Sequence, residues 1–193
     1  MYEVLYDHLT RKIQITTADF AFICQQFEPR HLRRKEAVQQ MGEVSRHTAF
    51  VEKGILRSYS VDEKGGERTS QFAFEGGWIG DMLSRLTGEP ATLTIEAVED
   101  TDVLLIDQAG QDRIYERVPQ YERYQRMLLE RHMVALYRRL MNTMGASAEE
   151  KYDALLVTYP TIGQRVPQHL IASYLGISPE SLSRIRARKA GRS

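Results

Sequence analysis

Cysteine is almost missing from this chain. The single Cys24 excludes an intrachain disulfide, and it excludes a thiolate-held iron–sulfur cluster, which needs about four cysteines. Within the helical stretch DFAFICQQF, Cys24 reads as a small buried residue. No apolar run approaches a membrane span. The opening MYEVLYDHLTRK lacks the apolar core of a secretory signal, so the expected compartment is the cytoplasm. Low-complexity tracts are absent, and so are the groupings that enzyme chemistry requires. The five histidines (His8, His31, His47, His132, His169) are scattered, and only His47 falls in the β-rich part of the chain. A metal-dependent enzyme with a jelly-roll body needs clustered His and carboxylate ligands. There is no nucleophile elbow and no phosphate loop. The expectation is a non-enzyme without a metal site, whose cofactor is none or an unidentified small-molecule or nucleotide effector.

Net charge is also lacking: Lys+Arg and Asp+Glu both number 26, in 193 residues that suit one large domain or two small ones. The distribution is uneven. Between Pro160 and Ser193 stand six basic residues (Arg165, Arg184, Arg186, Arg188, Lys189, Arg192) against one acid, Glu180, a net +5 that leaves −5 elsewhere. Such asymmetry suggests a nucleic-acid-binding tail on a body with another task.

The tail contains LIASYLGISPESLSRIRAR. From Gln168 to Leu175 the pattern is helical, and Gly176 supplies a left-handed exit. Ser178 is a good N-cap, with Pro179 at the first helical position, where its missing N–H costs nothing. Leu182 and Ile185 turn the second helix back onto Leu170, Ile171 and Leu175, and Ala172 is small where the helices cross. Ser178, Glu180, Ser181, Ser183, Arg184, Arg186 and Arg188 remain outward as candidate DNA contacts. Lys189 and Arg192 join Arg186 and Arg188 where phosphate contacts are expected. Together these residues spell a helix-turn-helix.

Upstream, Phe20, Ile23, Cys24 and Phe27 predict a helix over 17–27, which Glu28-Pro29-Arg30 breaks. From Arg33 to Asp107 the texture is short β-prone runs: 48–51, 55–61, 68–74, 92–98 and 103–106. Asp62–Glu67 forms a hairpin turn. This spacing predicts a closed β-roll or jelly roll. Glu75-Gly76-Gly77-Trp78-Ile79-Gly80-Asp81, followed by a short helix, is a cradle whose backbone N–H groups suit an anion. Residues 111–144 read as one long helix, with Pro119 separating a lead-in from the main rod. Leu129, Met133, Leu136 and Leu140 form a heptad seam, expected to be a homodimer interface. Tyr121, Tyr124, Leu128 and Ala135 make a second apolar line. Ser147 caps a further helix running to Tyr159.

A β-roll, a long helix and a helix-turn-helix in this order resemble the Crp/Fnr family of bacterial transcription regulators. The resemblance covers nearly the whole chain and is most specific over Gln168–Arg188. Phe50–Arg57 and Gly80-Asp81 are also similar. It implies an α+β fold: an effector domain at 1–110 of the cyclic-nucleotide-binding type with a jelly-roll-like roll, a dimerisation helix at 111–144, and a DNA-binding domain at 145–193. Only nine residues follow Arg184, so the family's wing is expected to be reduced or absent. The implied function is regulation of transcription by a homodimer on a palindromic operator in double-stranded DNA, with RNA polymerase as a further partner and no membrane. The alternative is a cyclic-nucleotide-responsive sensor or interaction protein with vestigial DNA binding.

The resemblance places the effector pocket at Gly80, Asp81, Met82, Arg85, Ala91 and Thr92. Asp81 falls where cyclic-AMP-binding members carry a Glu for the ribose hydroxyl. Ala91-Thr92 falls where they carry Arg-Ser or Arg-Thr on the cyclic phosphate, so that arginine is absent. Arg85 is the nearest replacement. In the recognition helix, the family's Arg-Glu and following Arg become Pro179, Glu180 and Arg184. A response to cyclic AMP in the usual way is not expected.

Overall fold

A computed structural model describes residues 2–191, apart from the side chains of 142–144. Arg192 therefore lies outside the described residues. The chain divides into two compact units: residues up to Ser60 together with Ser70–Glu130, and Val61–Thr69 together with the residues from Arg131 onward.

The first unit opens with helices α1 (Glu3–Thr10) and α2 (Thr17–Gln25). The second of these has a local cause. Thr16 and Asp19 form a capping box, satisfying two end amides reciprocally. Helix α1 has no such signal, because Tyr2 at its N-cap offers no side-chain cap. Its first amides are held instead by strand β3 (His47–Lys53). The buried Glu52 carboxylate accepts from Leu5 N–H at 2.8 Å and Val4 N–H at 3.2 Å. Burial pushes the Glu52 carboxyl above its usual range, and these two bonds pull it part of the way back.

Eight strands make two sheets of four among the described residues. One is ordered β1 (Glu28–Leu32), β8 (Thr101–Asp107), β3, β6 (Trp78–Ile79). The other is ordered β2 (Ala37–Gln39), β7 (Thr94–Ala97), β4 (Leu56–Val61), β5 (Glu67–Ala73). Both sheets keep open edges, so the roll is not the closed body that the strand spacing predicts. Glu28-Pro29-Arg30 is also no simple break. It is the start of β1, with Pro29 opposite Leu104 of β8. An edge strand is where a sheet tolerates proline.

The run Val103–Ile106 is continuously apolar because its sheet is buried on both faces. Val103 and Leu105 face the roll interior with Leu56, Ile95 and Ala97, while Leu104 and Ile106 face the helices with Leu5, Leu9 and Ile23. The helix expected over 111–144 is two helices, α4 (Gln108–Arg117) and α5 (Pro119–Gly145). Asp107 caps α4 by accepting from Gly110 N–H at 2.7 Å, and the non-helical Val118 parts the two at Pro119. Tyr121 and Tyr124 are fully buried and Leu128 packs beside them, whereas Ala135 is exposed. Only the first part of that apolar line therefore belongs to the core. Trp78 Nε1–H donates to the Tyr124 hydroxyl at 2.8 Å, and His8 Nδ1 lies 2.7 Å from the same oxygen.

The second unit contains α6 (Ala148–Thr158), α7 (Ile162–Arg165), α8 (Gln168–Leu175) and α9 (Pro179–Ala190), with the tip of the β4–β5 hairpin. Ser147 caps α6 with Glu150 as its reciprocal partner. Ser173 of α8 donates to the Glu67 carbonyl at 2.7 Å and accepts from Thr69 N–H at 2.9 Å, so one hydroxyl satisfies two backbone groups of the hairpin. Cys24 is half-buried, and burial pushes its thiol up to about 11. Among the described residues, no helix is long and apolar enough to cross a membrane, and no three His, Cys, Asp or Glu side chains are placed to share a metal ion.

Candidate effector pocket and DNA-binding helix pair

Strand β6 leads through Gly80 into Asp81, which caps the short helix α3 (Met82–Thr87). Asp81 Oδ1 accepts from Ser84 N–H at 3.0 Å. Its Oδ2 is buried with no hydrogen-bond partner, in a residue only 6% exposed. A buried, unsatisfied polar atom costs about 1–3 kcal/mol, more when charged. The arrangement thus holds an acceptor ready for a donor such as a hydroxyl.

The other expected pocket residues are not all brought to that acceptor. Ala91 is 3% exposed, and both its backbone polar groups are taken. Its N–H donates to the Glu43 carbonyl at 2.8 Å, and its carbonyl accepts from Gly42 N–H at 2.8 Å, beside a bridge between Val44 and Pro90. The Arg85 guanidinium donates to Gln108 and, at 3.2 Å, to Gln111 at the start of α4. Met82 and Thr92 are exposed. Sequence reading missed the supports of the cradle. Ser84 Oγ accepts from Ser45 N–H at 2.9 Å and donates to the Glu89 carbonyl at 2.5 Å. No local pattern marks such a contact across 39 positions.

In the second unit, α8 and α9 have the bounds that the turn residues predict. Gly176 adopts φ 70°, while Ile177 N–H bonds back to the Ala172 carbonyl at 3.1 Å, closing the helix end. Ser178 Oγ accepts from Ser181 N–H at 3.2 Å. Leu182 and Ile185 are buried with Leu170, Ile171, Ala172 and Leu175. On the opposite side Ser178, Glu180, Ser183, Arg184 and Arg188 are exposed, and Ser181 and Arg186 are half-buried. Arg184 donates to Ser181 Oγ at 3.3 Å. Glu180 is held below the usual carboxylate range by its own backbone N–H, then by the Ser178 hydroxyl, and least by the Arg184 charge.

The basic side chains in the last turn of α9 also have partners within the chain. Lys189 pairs with Asp153 at 2.5 Å and Glu149 at 3.8 Å, and Arg188 lies 4.0 Å from Glu149. These acids on α6 hold the end of α9. Along α5, Leu129, Met133, Leu136 and Leu140 are all exposed, from 48% at Leu136 to 67% at Met133. Val134, Tyr137 and Met141 widen this apolar face. They repeat at the same three- and four-residue steps, a signal the sequence contains beside the first seam.

Residues 29–117 match the family described as cyclic nucleotide-binding domain. The roll and the helices that follow it have a Crp/Fnr-like fold. The transcriptional activator protein FnrA of Stutzerimonas stutzeri is 24% identical over 170 residues, spanning 82% of this chain and 69% of that protein. The fold is similar to FixK2 of Bradyrhizobium japonicum (TM-score 0.69, 20% identity, 86% of this chain and 85% of that one). It is also similar to the catabolite activator protein of Thermus thermophilus (TM-score 0.60, 20% identity, 96% and 87%). The domain's family does not fix its ligand. In the matched region Asp81 keeps one oxygen without a partner, and Ala91 is buried.

Proposed function

We propose that the chain is a transcriptional regulator that binds double-stranded DNA as a homodimer, reading the major groove with α9. Residues 1–110 would sense an effector, 111–144 would join the protomers, and 145–193 would hold the DNA. The observation that carries this reading is the division of α9. Leu182 and Ile185 are fixed against α8, and Glu180, Ser183 and Arg184 stand exposed on the opposite side. Two copies related by a two-fold axis would meet half-sites about 34 Å apart, which calls for a palindromic operator. The relatives' role as transcriptional activators agrees with this and suggests RNA polymerase as a further partner.

Arg184 suits a guanine edge and Glu180 a cytosine amino group. In gel shifts, Arg184→Ala should cost about 1–3 kcal/mol and relax base preference at one position of the half-site. An equal loss on every sequence would make Arg184 a phosphate contact instead. The ion pairs of Arg188 and Lys189 with α6 favour a second reading, an interaction protein with vestigial DNA binding. No shift on any duplex from a random pool at low salt would select that second reading.

A further inference from the structure

We propose that the roll holds a second binding site, adjoining the Asp81 cradle, for a medium-chain monocarboxylate. Its hydrocarbon chain lies between the two sheets and its carboxylate meets Arg46. A cavity of about 470 Å³ opens there, within the range of small-molecule sites. Its lining includes none of Gly80, Asp81, Met82, Arg85, Ala91 or Thr92.

The floor is formed by Ala49, Ile79 and Leu105 from one sheet and Ile95 from the other, all buried aliphatic side chains. Two side chains of the polar wall are bonded to the protein itself. Ser45 Oγ donates to Gln39 Oε1 at 2.5 Å, and Gln39 Nε2 donates to the Leu93 carbonyl at 3.3 Å. Against the aliphatic floor a polar ligand body would lose its hydration without a partner, so an apolar chain suits that part of the cavity.

The rim is different. Glu43, Arg46 and His47 line the cavity and are exposed. Among the described residues, no ion pair or side-chain hydrogen bond engages Arg46 or His47. A guanidinium presents two parallel N–H donors that match a carboxylate. Glu43 on the same rim opposes a second negative charge, which favours a monocarboxylate over a phosphate dianion or a dicarboxylate. An aliphatic floor and one forked cation at the mouth together define the ligand class.

The test is calorimetric titration of the full chain, without DNA, with hexanoate, octanoate and decanoate. It does not depend on the DNA-binding reading, so either can fail alone. Each added methylene should tighten binding about fourfold until the cavity is filled. Arg46→Gln, at an exposed position, should weaken decanoate about tenfold while keeping the chain-length dependence. Ala49→Leu should remove much of the gain from octanoate to decanoate. If Ala49→Leu does not fold, Arg46→Gln still decides. Absence of saturable binding, equal affinity for all three acids, or decanoate binding indifferent to Arg46→Gln would overturn the proposal.

Discussion

At micromolar concentration, the parent chain should sediment as a dimer and Leu136→Glu as a monomer. Leu136 lies mid-way along the exposed seam of α5, a helix of 27 residues. A seam at four-, three- and four-residue steps is the pattern by which two helices interdigitate. Burying one leucine there stabilises by about 1.5–3 kcal/mol. Two-fold symmetry makes the substitution count twice, and it places two carboxylates against each other in an apolar seam. The combined loss exceeds about 3 kcal/mol, more than a hundredfold in dissociation constant. Folding of the protomer should be unaffected, because the side chain is 48% exposed before association. Circular dichroism checks that point. A dimer that persists would put the interface on another surface.

Titration with cyclic AMP or cyclic GMP should show no micromolar binding. The cyclic phosphate carries a full negative charge, which a forked guanidinium is best shaped to meet. In the proposed pocket Ala91 takes that position, and its N–H is already donated to the Glu43 carbonyl. Arg85 is occupied by Gln108 and Gln111. Each missing hydrogen bond to a charged group forfeits about 1.5–3 kcal/mol, on the order of tenfold to more than a hundredfold in affinity. A ligand hydroxyl on the Asp81 oxygen would still leave the phosphate uncompensated. Micromolar binding that vanishes in Arg85→Ala would show that Arg85 leaves the two glutamines and meets the phosphate itself.

Legibility in the sequence followed the range of the interaction. Helices α8 and α9 are readable almost to the residue, because Gly176, Ser178 and Pro179 determine their ends through bonds a few positions long. The separation of α5 from its lead-in is likewise visible in Pro119. Helix α1 is not, since its cap comes from Glu52, 47 positions away. Strand β1 is hidden by Pro29, which looks like a terminator until the strand is known to be an edge. At the cradle, Gly80 and Asp81 stand out, but the zipping of Gly42 and Glu43 onto Ala91 does not. The basic count near the C-terminus indicates attraction to a polyanion. It cannot reveal that Glu149 and Asp153 reach Arg188 and Lys189.

The dependence of α1 on Glu52 also bears on the order in which the chain folds. Eight residues fall well below the length at which an isolated helix persists, about 12–15 residues. This one also has no capping side chain of its own. Its stabilising partners are remote: Glu52 lies 47 positions downstream, and Tyr124, which meets His8, lies 116 positions downstream. Closing such loops costs chain entropy that local contacts do not repay. Helix α1 should therefore be among the last elements to become native, seating on a sheet already formed. Pulse-labelled hydrogen exchange should find the amides of Leu5 and Leu9 protected after those of Phe50 and Leu104, and the reverse order would mean that α1 forms without its strand.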